Sequence, residues 1–400
     1  MQTLLKYSIN APVYSSSRLL SRRCRFLGLE GLKISDPGKA PELPCKKIMN
    51  SPHIEHSLTQ HFTSFIKASA SGRRRTPSGK RITKGTITNY SCALKLLWEY
   101  QLSVPHPLRI RLLHRASLRT MQQEKNYWHR FFIRFSDFLY KEKGYSDNYV
   151  ANFFKILRSL FNYLQKEKGL MVGNYHHSFR IPAQQAAPVV LTPAQLNFLI
   201  CNKAFEAVLT PGLKRVKDIF VFGCTVALRY TDLMGLKKSN IRQVGTEYYL
   251  SLFTQKTNTE IRVPLPGYAL HIVHKYQKKA GKYILPRLSS TNLNLQLKKL
   301  AKAAGWTQQL TKNISYRGKM QEQKNGDGSS WLFYQHITAH TMRRTAITTL
   351  LILGVPETVV RKISGHAPGS REFYKYVAIA QDYLDTEVKK AQDKLAAFTV

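Results

Sequence analysis

The chain has 400 residues, 43% of them hydrophobic, which is enough material for two packed cores. It carries 62 Lys plus Arg against 23 Asp plus Glu, a net charge of +39 that is spread along the whole sequence. This excess predicts a polyanionic partner, with nucleic acid favoured over an anionic membrane surface. No apolar run reaches the length needed to span a bilayer, which argues against an integral membrane protein.

The five cysteines are odd in number and far apart, and none of them forms a C-x-x-C motif. This usage is typical of reduced thiols in an intracellular protein. The sequence also has no paired His cluster of zinc-ligand spacing, so we expect neither a metal site nor a cofactor.

Residues 1–54 form a basic N-terminal extension that contains no acidic residue before Glu30 and is rich in Ser and Arg. We interpret it as a flexible arm that lies on DNA or as a poorly ordered leader. An organellar transit peptide fits the same composition. It is the less favoured interpretation, because the pattern is common in any strongly basic protein.

Apolar residues at helical spacing predict a compact helical domain over residues 55–180, with its longest amphipathic pattern running from Val150 to Leu164. Basic residues occupy the other helix faces and a Gly-, Pro- and Ser-rich loop at Ser69–Gly85, which suits contact with phosphates. The candidate DNA-binding residues are Arg73, Arg74, Arg75, Lys80, Arg81, Lys84, Lys155 and Arg158.

A Pro-rich linker at residues 181–191 separates this domain from a second one over residues 192–400. The second domain begins with a clear helix start. Thr192 can cap the helix, Pro193 suits its first position, and Gln195 completes a capping box.

Several elements follow in the second domain. The patterns predict a buried helix pair, a β-hairpin that turns near Thr257–Thr259, further helices, a polar extended insertion near residues 313–331, and a long closing helix with the C-terminal tail. The predicted fold class is therefore mainly α with a small β-sheet (α+β).

Two short stretches carry candidate chemistry. In "HTMR", His340 and Arg343 lie three residues apart at a helix start, so they emerge on nearly the same face and could hold a small anionic group. In "ALRYTDL", Arg229 lies within an apolar helix pair, where an unpaired guanidinium is costly to bury. Asp232 could orient it, or the two could form a purely structural ion pair.

The resemblance to a family becomes specific when these stretches are taken in order. Arg229 in "LRYTDL", Lys256 in "TQKTNTEIRVPL", His340 and Arg343 in "HTMRRT", His366 in "ISGH" and a tyrosine in "FYKYV" follow the order and approximate spacing of the tyrosine recombinases. The chain thus resembles phage-type integrases, in the form found in mobile elements. The resemblance covers about residues 190–385. The helical domain resembles the family's SAM-like core-binding domain in size and position only.

The resemblance implies a role for each of these residues in breaking a phosphodiester without a metal ion. The two arginines would neutralise the phosphate oxygens, because a guanidinium fork meets them bidentately. Lys256 would be the general acid, His340 would assist proton transfer or bind the phosphate, and His366 would donate a further hydrogen bond. A tyrosine would be the nucleophile, and its product would be a 3′-phosphotyrosine linkage.

The sequence offers three tyrosines for this role. Tyr374 lies eight positions after His366 and Tyr376 lies ten positions after it, whereas family members commonly show about nine. Because two residues along a helix turn a side chain by about 200°, only one of them can face the phosphate. The residue pattern "FYKYV" favours Tyr376 over Tyr374, and Tyr383 is the least favoured candidate.

We therefore expect an intracellular, DNA-associated site-specific recombinase of the cytoplasm or nucleoid. The resemblance implies that its two domains form a C-shaped clamp on double-stranded DNA, and that the C-terminal helix links a homo-tetramer on two DNA sites. The alternative is a catalytically silent DNA-binding protein on the same fold, with an architectural or regulatory role. Three other enzyme classes are less favoured. A metal-dependent nuclease would need clustered acidic residues, which are scarce here. A serine recombinase would need a supporting domain around "YSSSRLLSRR", and the two-domain size does not suit a type IB topoisomerase.

Overall fold

The computed structural model describes residues 55–182, 187–255, 259–277 and 281–397. These residues divide into two compact units. One consists of the chain up to Gln185 together with Asn313–Glu322, and the other consists of Ala186–Lys312 together with Gln323–Val400. The return of the chain to the first unit at Asn313–Glu322 has no signal in the local sequence pattern.

The first unit is mainly helical. Its first three helices begin at hydroxyl caps, since the side chains of Ser57, Thr83 and Ser117 each accept a hydrogen bond from a backbone amide of the first turn. The third helix continues as a π-helical turn at Phe138–Glu142. Its elements are β1 (Glu55–Ser57), α1 (Leu58–Ser71), α2 (Lys84–Ser103), β2 (Arg109–Arg111), α3 (Leu118–Asp137), α4 (Asp147–Lys166), β6 (Asn313–Tyr316) and β7 (Lys319–Glu322).

Aromatic side chains fill the core of this unit. Trp128 is almost fully buried and donates a hydrogen bond from Nε1 to the buried carboxylate of Glu124 at 3.0 Å. Arg109 neutralises the same carboxylate at 2.6 Å, so the buried charge is paired. The other large buried rings include Phe62, Phe65, Phe135, Phe154, Phe161 and Phe179.

The β6–β7 hairpin packs within the first unit around one buried acidic residue. Asp147, at the start of α4, accepts hydrogen bonds from Tyr140 Oη at 2.6 Å, from the amides of Arg317 and Gly318 at 2.8 and 2.9 Å, and from the Ser315 hydroxyl. This confirms an extended polar insertion at this point of the chain, and its location in the first unit is the new finding.

The second unit surrounds a buried helix and carries a three-stranded antiparallel sheet in the order β3-β4-β5. The capping box of its first helix forms as expected, because Thr192 and Gln195 exchange hydrogen bonds at 3.2 and 3.0 Å. The elements are α5 (Pro193–Cys201), α6 (Lys203–Val208), α7 (Pro211–Val226), α8 (Tyr230–Leu233), β3 (Ile241–Val244), β4 (Glu247–Phe253), β5 (Glu260–Pro264), α9 (Gly267–Gln277), α10 (Ser290–Ala303), α11 (Phe333–His336), α12 (Ala339–Ile352), α13 (Glu357–Ser364) and α14 (Arg371–Ala397).

The central helix α7 packs closely on α12 at Gly223. A Cβ at this position would lie 2.4 Å from Met342 Sδ and 3.1 Å from Leu233 Cδ2, so only glycine fits. This close approach brings the start of α12, with the "HTMR" stretch, to the loop that follows α7. The mainly helical fold with small antiparallel sheets agrees with the predicted fold class.

Candidate functional site: a cluster of cations around a tyrosine

Arg343 lies at the centre of the site and is only 2% exposed. It extends from the buried face of α12, and its Nη1 donates a hydrogen bond to the carbonyl of Ala227 at 2.9 Å. Ala227 ends α7 in a left-handed conformation with φ +54°, which turns the chain towards Arg229. Burial, followed by the charge of Arg229, lowers the pKa of Arg343 to about 10, so its guanidinium remains charged at neutral pH.

His366 lies beside Arg343. It follows α13, which ends at Gly365 with φ +61°, a conformation that favours glycine. The Arg343 Nη2 atom lies 3.2 Å from His366 Nε2 and 3.4 Å from its Nδ1. Burial, followed by the charges of Arg343 and Arg229, lowers the pKa of the His366 imidazole to about 3, so the ring is neutral at pH 7.

Arg229 immediately precedes α8 and is partly buried. Its Nη1 atom is shielded from solvent and has no hydrogen-bond partner among the described residues. A buried guanidinium nitrogen is costly unless it binds an acceptor. Because Arg229 depresses the pKa values of both Arg343 and His366, its charge belongs to the same cluster.

Asp232 does not pair with Arg229, which corrects the expectation that it orients this guanidinium. Its Oδ1 accepts a hydrogen bond from the backbone amide of Gln255 at 2.9 Å, and its buried Oδ2 has no hydrogen-bond partner in the described part of the chain. The carboxylate therefore fixes the end of β4. Lys256, the expected general acid, follows Gln255 and lies outside the described residues.

Tyr376 and Tyr374 point in different directions from α14. Tyr376 is 5% exposed and its ring centroid lies 6.0 Å from that of His366. Tyr374 is 49% exposed, and its ring lies 5.0 Å from the guanidinium carbon of Arg361. The structure thus brings Tyr376 to the cation cluster and directs Tyr374 away from it. Tyr383 is two helical turns further along α14 and is partly exposed.

His340 occupies the first turn of α12, one turn before Arg343, and its side chain is exposed. Its charge contributes to the low pKa of His366, so it also lies near the cluster. Of the six residues that the sequence proposes for catalysis, five are thus described, and all five lie at this one location of the second unit.

Two neighbours of this cluster are absent from the sequence-based set. Ser364 bonds to His366, and the carbonyl of Ala227 bonds to Arg343. Ser364 belongs to "ISGH", but a serine at a helix end does not by itself predict a contact with a histidine. A contact of a backbone carbonyl cannot be predicted from residue type at all.

The basic loop of the first unit keeps most of its expected character. Arg73, Arg75 and Lys80 are exposed, and the loop is closed by a bridge between Arg75 and Arg81. Arg81, Lys84 and Lys155 are also exposed.

Arg74 and Arg158 differ from this expectation because both guanidinium groups bind protein atoms. Arg74 lies 4.5 Å from the Phe65 ring and 3.4 Å from the Glu167 carboxylate. Arg158 is partly buried and donates a hydrogen bond to the carbonyl of Phe179. The sequence pattern does not distinguish these inward-facing arginines from their exposed neighbours.

The sequence model of the phage integrase family matches residues 191–382. The chain therefore contains a phage integrase domain. The resemblance to tyrosine recombinases is thus confirmed, and the matched residues include the whole cation cluster with Tyr376. No curated protein matches the chain at the level of its sequence.

Several solved structures share the fold of this chain. A lambda integrase dimer bound to a COC′ core site has 15% identity and a TM-score of 0.54, and the match covers 80% of this chain and 95% of that one. The XerH site-specific recombinase in a post-cleavage complex with difH has 12% identity and a TM-score of 0.51, with 93% of each chain covered. A lambda integrase tetramer on a Holliday junction has 14% identity and a TM-score of 0.53, with 80% and 77% covered. At these identities the likeness shows the fold.

In the described residues no helix is both long and apolar enough to cross a membrane. No group of three or more His, Cys, Asp or Glu side chains that could hold a metal ion is present in the same part of the chain.

Proposed function

We propose that this protein is a site-specific DNA recombinase that cuts and rejoins DNA through a 3′-phosphotyrosine intermediate, without a metal ion or ATP. The observation that carries the proposal is the convergence of Arg343, His366 and Tyr376 next to a guanidinium nitrogen of Arg229 that lacks a partner in the described residues. A buried group of positive charges with an adjacent phenol suits a phosphodiester, which supplies both the missing negative charge and the electrophile.

In the proposed cleavage step, the Tyr376 hydroxyl attacks the phosphorus atom. Its proton passes to His340, a bond forms between Tyr376 Oη and phosphorus, and the bond from phosphorus to the 5′-oxygen breaks. Lys256 protonates that oxygen as it leaves. The 3′-phosphotyrosine keeps the energy of the broken bond, so attack by a 5′-hydroxyl reverses the step and rejoins the strand.

The two arginines stabilise the charge that develops on the phosphate oxygens. Arg343 is already held through Nη1 by the carbonyl of Ala227, so the position of its guanidinium is set before DNA arrives. Arg229 has a buried nitrogen for which a phosphate oxygen would be the partner. Losing either charge removes stabilisation that is greatest in the transition state.

A suicide substrate tests the function. Duplexes that bind the protein are first selected from a random pool, and the cleavage site is then nicked so that the released fragment diffuses away. We expect the wild-type protein to form a covalent protein–DNA adduct that survives denaturation. Tyr376→Phe should bind the duplex equally well and form no adduct, because only the hydroxyl is lost.

Tyr374→Phe is the matched control on the same helix, and it should form the adduct. If Tyr374→Phe abolishes the adduct and Tyr376→Phe does not, the nucleophile is assigned wrongly. If the wild-type protein binds DNA tightly and never forms an adduct, the protein is the silent DNA-binding alternative.

We also propose that the protein acts as a homo-tetramer on two double-stranded DNA sites. Beyond Tyr376, α14 exposes Leu384, Val388 and Leu395 by 36%, 55% and 72%, and these positions fall within about 40° of one another around the helix. The lambda integrase seen as a tetramer on a Holliday junction shares this fold. A neighbouring protomer of the same chain is therefore the proposed occupant of this apolar stripe.

Substitution of Val388 by Asp tests this assembly. It should lower the mass of the protein–DNA complex measured by light scattering and leave binding of a single site unchanged. Thr386→Asp, which adds the same charge at an exposed position on the opposite face of α14, is the control. An unchanged tetramer with Val388→Asp, or a monomeric wild-type complex on two sites, would contradict the proposal.

A further inference from the structure

Ser364 has three polar neighbours within hydrogen-bond distance and is completely buried in the last turn of α13. Its Oγ lies 2.7 Å from the carbonyl oxygen of Val360, 3.3 Å from that of Arg361, and 2.8 Å from Nδ1 of His366. The proton positions in this group follow from which of the partners can donate.

A serine hydroxyl carries one proton, and a carbonyl oxygen can only accept. The short contact with Val360 therefore requires that Ser364 donates its proton to this carbonyl. Towards His366 the same oxygen must then act as an acceptor. Nδ1 of His366 consequently carries the proton of the neutral imidazole.

This assignment also decides the contact with Arg343. The Arg343 Nη2 atom lies nearly midway between the two ring nitrogens, at 3.2 Å from Nε2 and 3.4 Å from Nδ1. A guanidinium only donates, so its hydrogen bond goes to the unprotonated nitrogen. Nε2 is therefore an acceptor for Arg343.

We propose that Ser364 is a positioning residue that holds the proton of His366 on Nδ1, so that Nε2 accepts a hydrogen bond from Arg343 and keeps the guanidinium in place before DNA binds. The catalytic consequence rests on the proposed recombinase function. With Nδ1 already protonated, His366 can donate to a phosphate oxygen only after Nε2 takes up a second proton from solvent. Phosphate binding is then coupled to the uptake of one proton, and Arg343 turns its Nη2 from the ring to the phosphate.

The surroundings of His366 explain why this proton arrives with the substrate. In the DNA-free protein burial and the neighbouring cations keep the ring neutral, and the negative phosphate offsets the effect of the cations when it enters the cluster. Among the described residues, the charged and titratable groups that face His366 are Arg343 and His340 from α12, Arg229 before α8, Arg361 from α13 and Tyr376 from α14.

The tautomer can be measured directly in the DNA-free protein by two-bond ¹H–¹⁵N correlation spectra of ¹⁵N-histidine-labelled protein, with His366→Gln to assign the signals. We expect the pattern of a neutral ring protonated on Nδ1. Ser364→Ala should move the ring towards the Nε2-protonated form, since the acceptor for Nδ1 is gone. An Nε2-protonated ring in the wild type, or an unchanged tautomer in Ser364→Ala, would overturn the assignment.

Ser69→Ala is a matched control. Ser69 is 1% exposed, donates to the carbonyl of Phe65 at 2.8 Å in the same i to i−4 manner, and accepts from Arg74 Nη1 at 3.4 Å, all in the first unit. Its removal costs a similar buried hydrogen bond and should leave the His366 signals unchanged. Melting temperatures of the two variants show whether either fails to fold.

The catalytic consequence is tested by the rate of adduct formation as a function of pH. We expect Ser364→Ala to form the adduct about 10-fold more slowly than the wild type at low pH, and the ratio of the two rates to fall as pH rises, because only the wild-type ring needs a second proton. Ser364→Thr, which keeps a hydroxyl, should restore the ratio. A ratio that does not change with pH, or a Ser364→Ala that behaves like Ser69→Ala, would overturn the positioning role.

The outcomes separate this proposal from the proposed function. If the wild-type protein forms no adduct under any condition, the recombinase function fails, and the spectra still decide the tautomer. If the wild-type protein forms the adduct and the spectra show an Nε2-protonated ring, only the role of Ser364 fails.

Discussion

At the scale of single residues, the buried positive charge of Arg343 is hydrogen-bonded only to neutral groups within the described part of the chain. Arg343 is bound to a carbonyl and to a neutral imidazole, and it has no carboxylate partner within the described residues. Uncompensated buried charge destabilises a fold. The protein therefore keeps an arrangement that an anionic ligand would complete.

This arrangement predicts that Arg343→Lys loses activity far more than it loses stability. Lysine keeps the charge, but it cannot bond to Ala227 and to a phosphate oxygen through a planar fork. We expect the rate of adduct formation on a nicked substrate to fall about 100-fold or more. Arg344→Lys, at the next position of α12, is the control and should stay within a few fold of the wild type. Equal rates for both variants would remove Arg343 from the proposed mechanism.

The sequence predicts the residues of the site better than it predicts their contacts. Arg229, Arg343 and His366 are recognisable because their order matches a family, and the helical rotation between Tyr374 and Tyr376 shows that only one can face the site. The rotation does not show which of the two tyrosines faces the site, because their orientation depends on how α14 packs. The predicted partner of Asp232 is wrong for a similar reason. Asp232 accepts a hydrogen bond from Gln255, which lies 23 positions away in sequence and is brought close only by the fold.

At the scale of helices and strands, the contact between α7 and α12 places the "HTMR" stretch beside the loop that follows α7, and Gly223 permits this contact. Gly223→Ala should destabilise the protein by about 1–3 kcal/mol, because the new Cβ collides with Met342 Sδ. Thermal or denaturant unfolding measures this loss.

Gly212→Ala is the control on the same helix. A Cβ there has no neighbour closer than 4.0 Å, so alanine should be neutral or slightly stabilising through its higher helix propensity. Similar changes in stability for both variants would show that the close packing of α7 on α12 does not require glycine at position 223.

The β6–β7 hairpin depends on Asp147 in the same way. Asp147→Ala removes the acceptor for four hydrogen bonds, and we expect a loss of about 3 kcal/mol, with faster hydrogen exchange at the amides of Arg317 and Gly318. Asp385→Ala on the exposed face of α14 is the control. Unchanged exchange in the Asp147 variant would contradict the contact.

The pH dependence of this contact has a definite sign. Burial alone would raise the pKa of Asp147, but the hydrogen bonds from Ser315, Tyr140 and the two amides lower it below its ordinary value. A group whose folded pKa is depressed stabilises the protein above its unfolded pKa of about 3.9 and loses this contribution as pH falls. The hairpin amides should therefore exchange faster, relative to the rest of the first unit, below about pH 4.

Elements with local signals are predicted well, and elements that depend on distant contacts are not. The capping box at Thr192 and Gln195 forms as the sequence indicates, because all its atoms lie within one turn. The extended insertion is recognisable from its polar composition. That it packs on Asp147, about 170 positions earlier in sequence, could not be predicted from local pattern.

At the scale of the whole molecule, the net charge of +39 predicts DNA binding that weakens steeply with salt. If 6–10 phosphates are neutralised, affinity should fall about 10³- to 10⁵-fold between roughly 50 and 200 mM salt. Titrations at several salt concentrations give the slope. A slope near zero would show that the charge does not lie against a DNA backbone.

Two adjacent arginines test where this charge acts. Arg73→Gln should reduce the slope by about one phosphate contact, because its side chain is exposed. Arg74→Gln should leave the slope unchanged and lower stability, because its guanidinium already binds Glu167 and the Phe65 ring. The opposite result would reverse their assignments.

The most direct test of the whole account is to locate the covalent bond to DNA in a reaction that contains a chelator. The wild-type protein is incubated with the nicked substrate in excess EDTA, the denatured adduct is digested with protease and nuclease, and the modified residue is identified by mass spectrometry. We expect a full yield of adduct with a nucleotide on Tyr376. A nucleotide on any other residue, or an adduct that forms only when Mg²⁺ is restored, would contradict it.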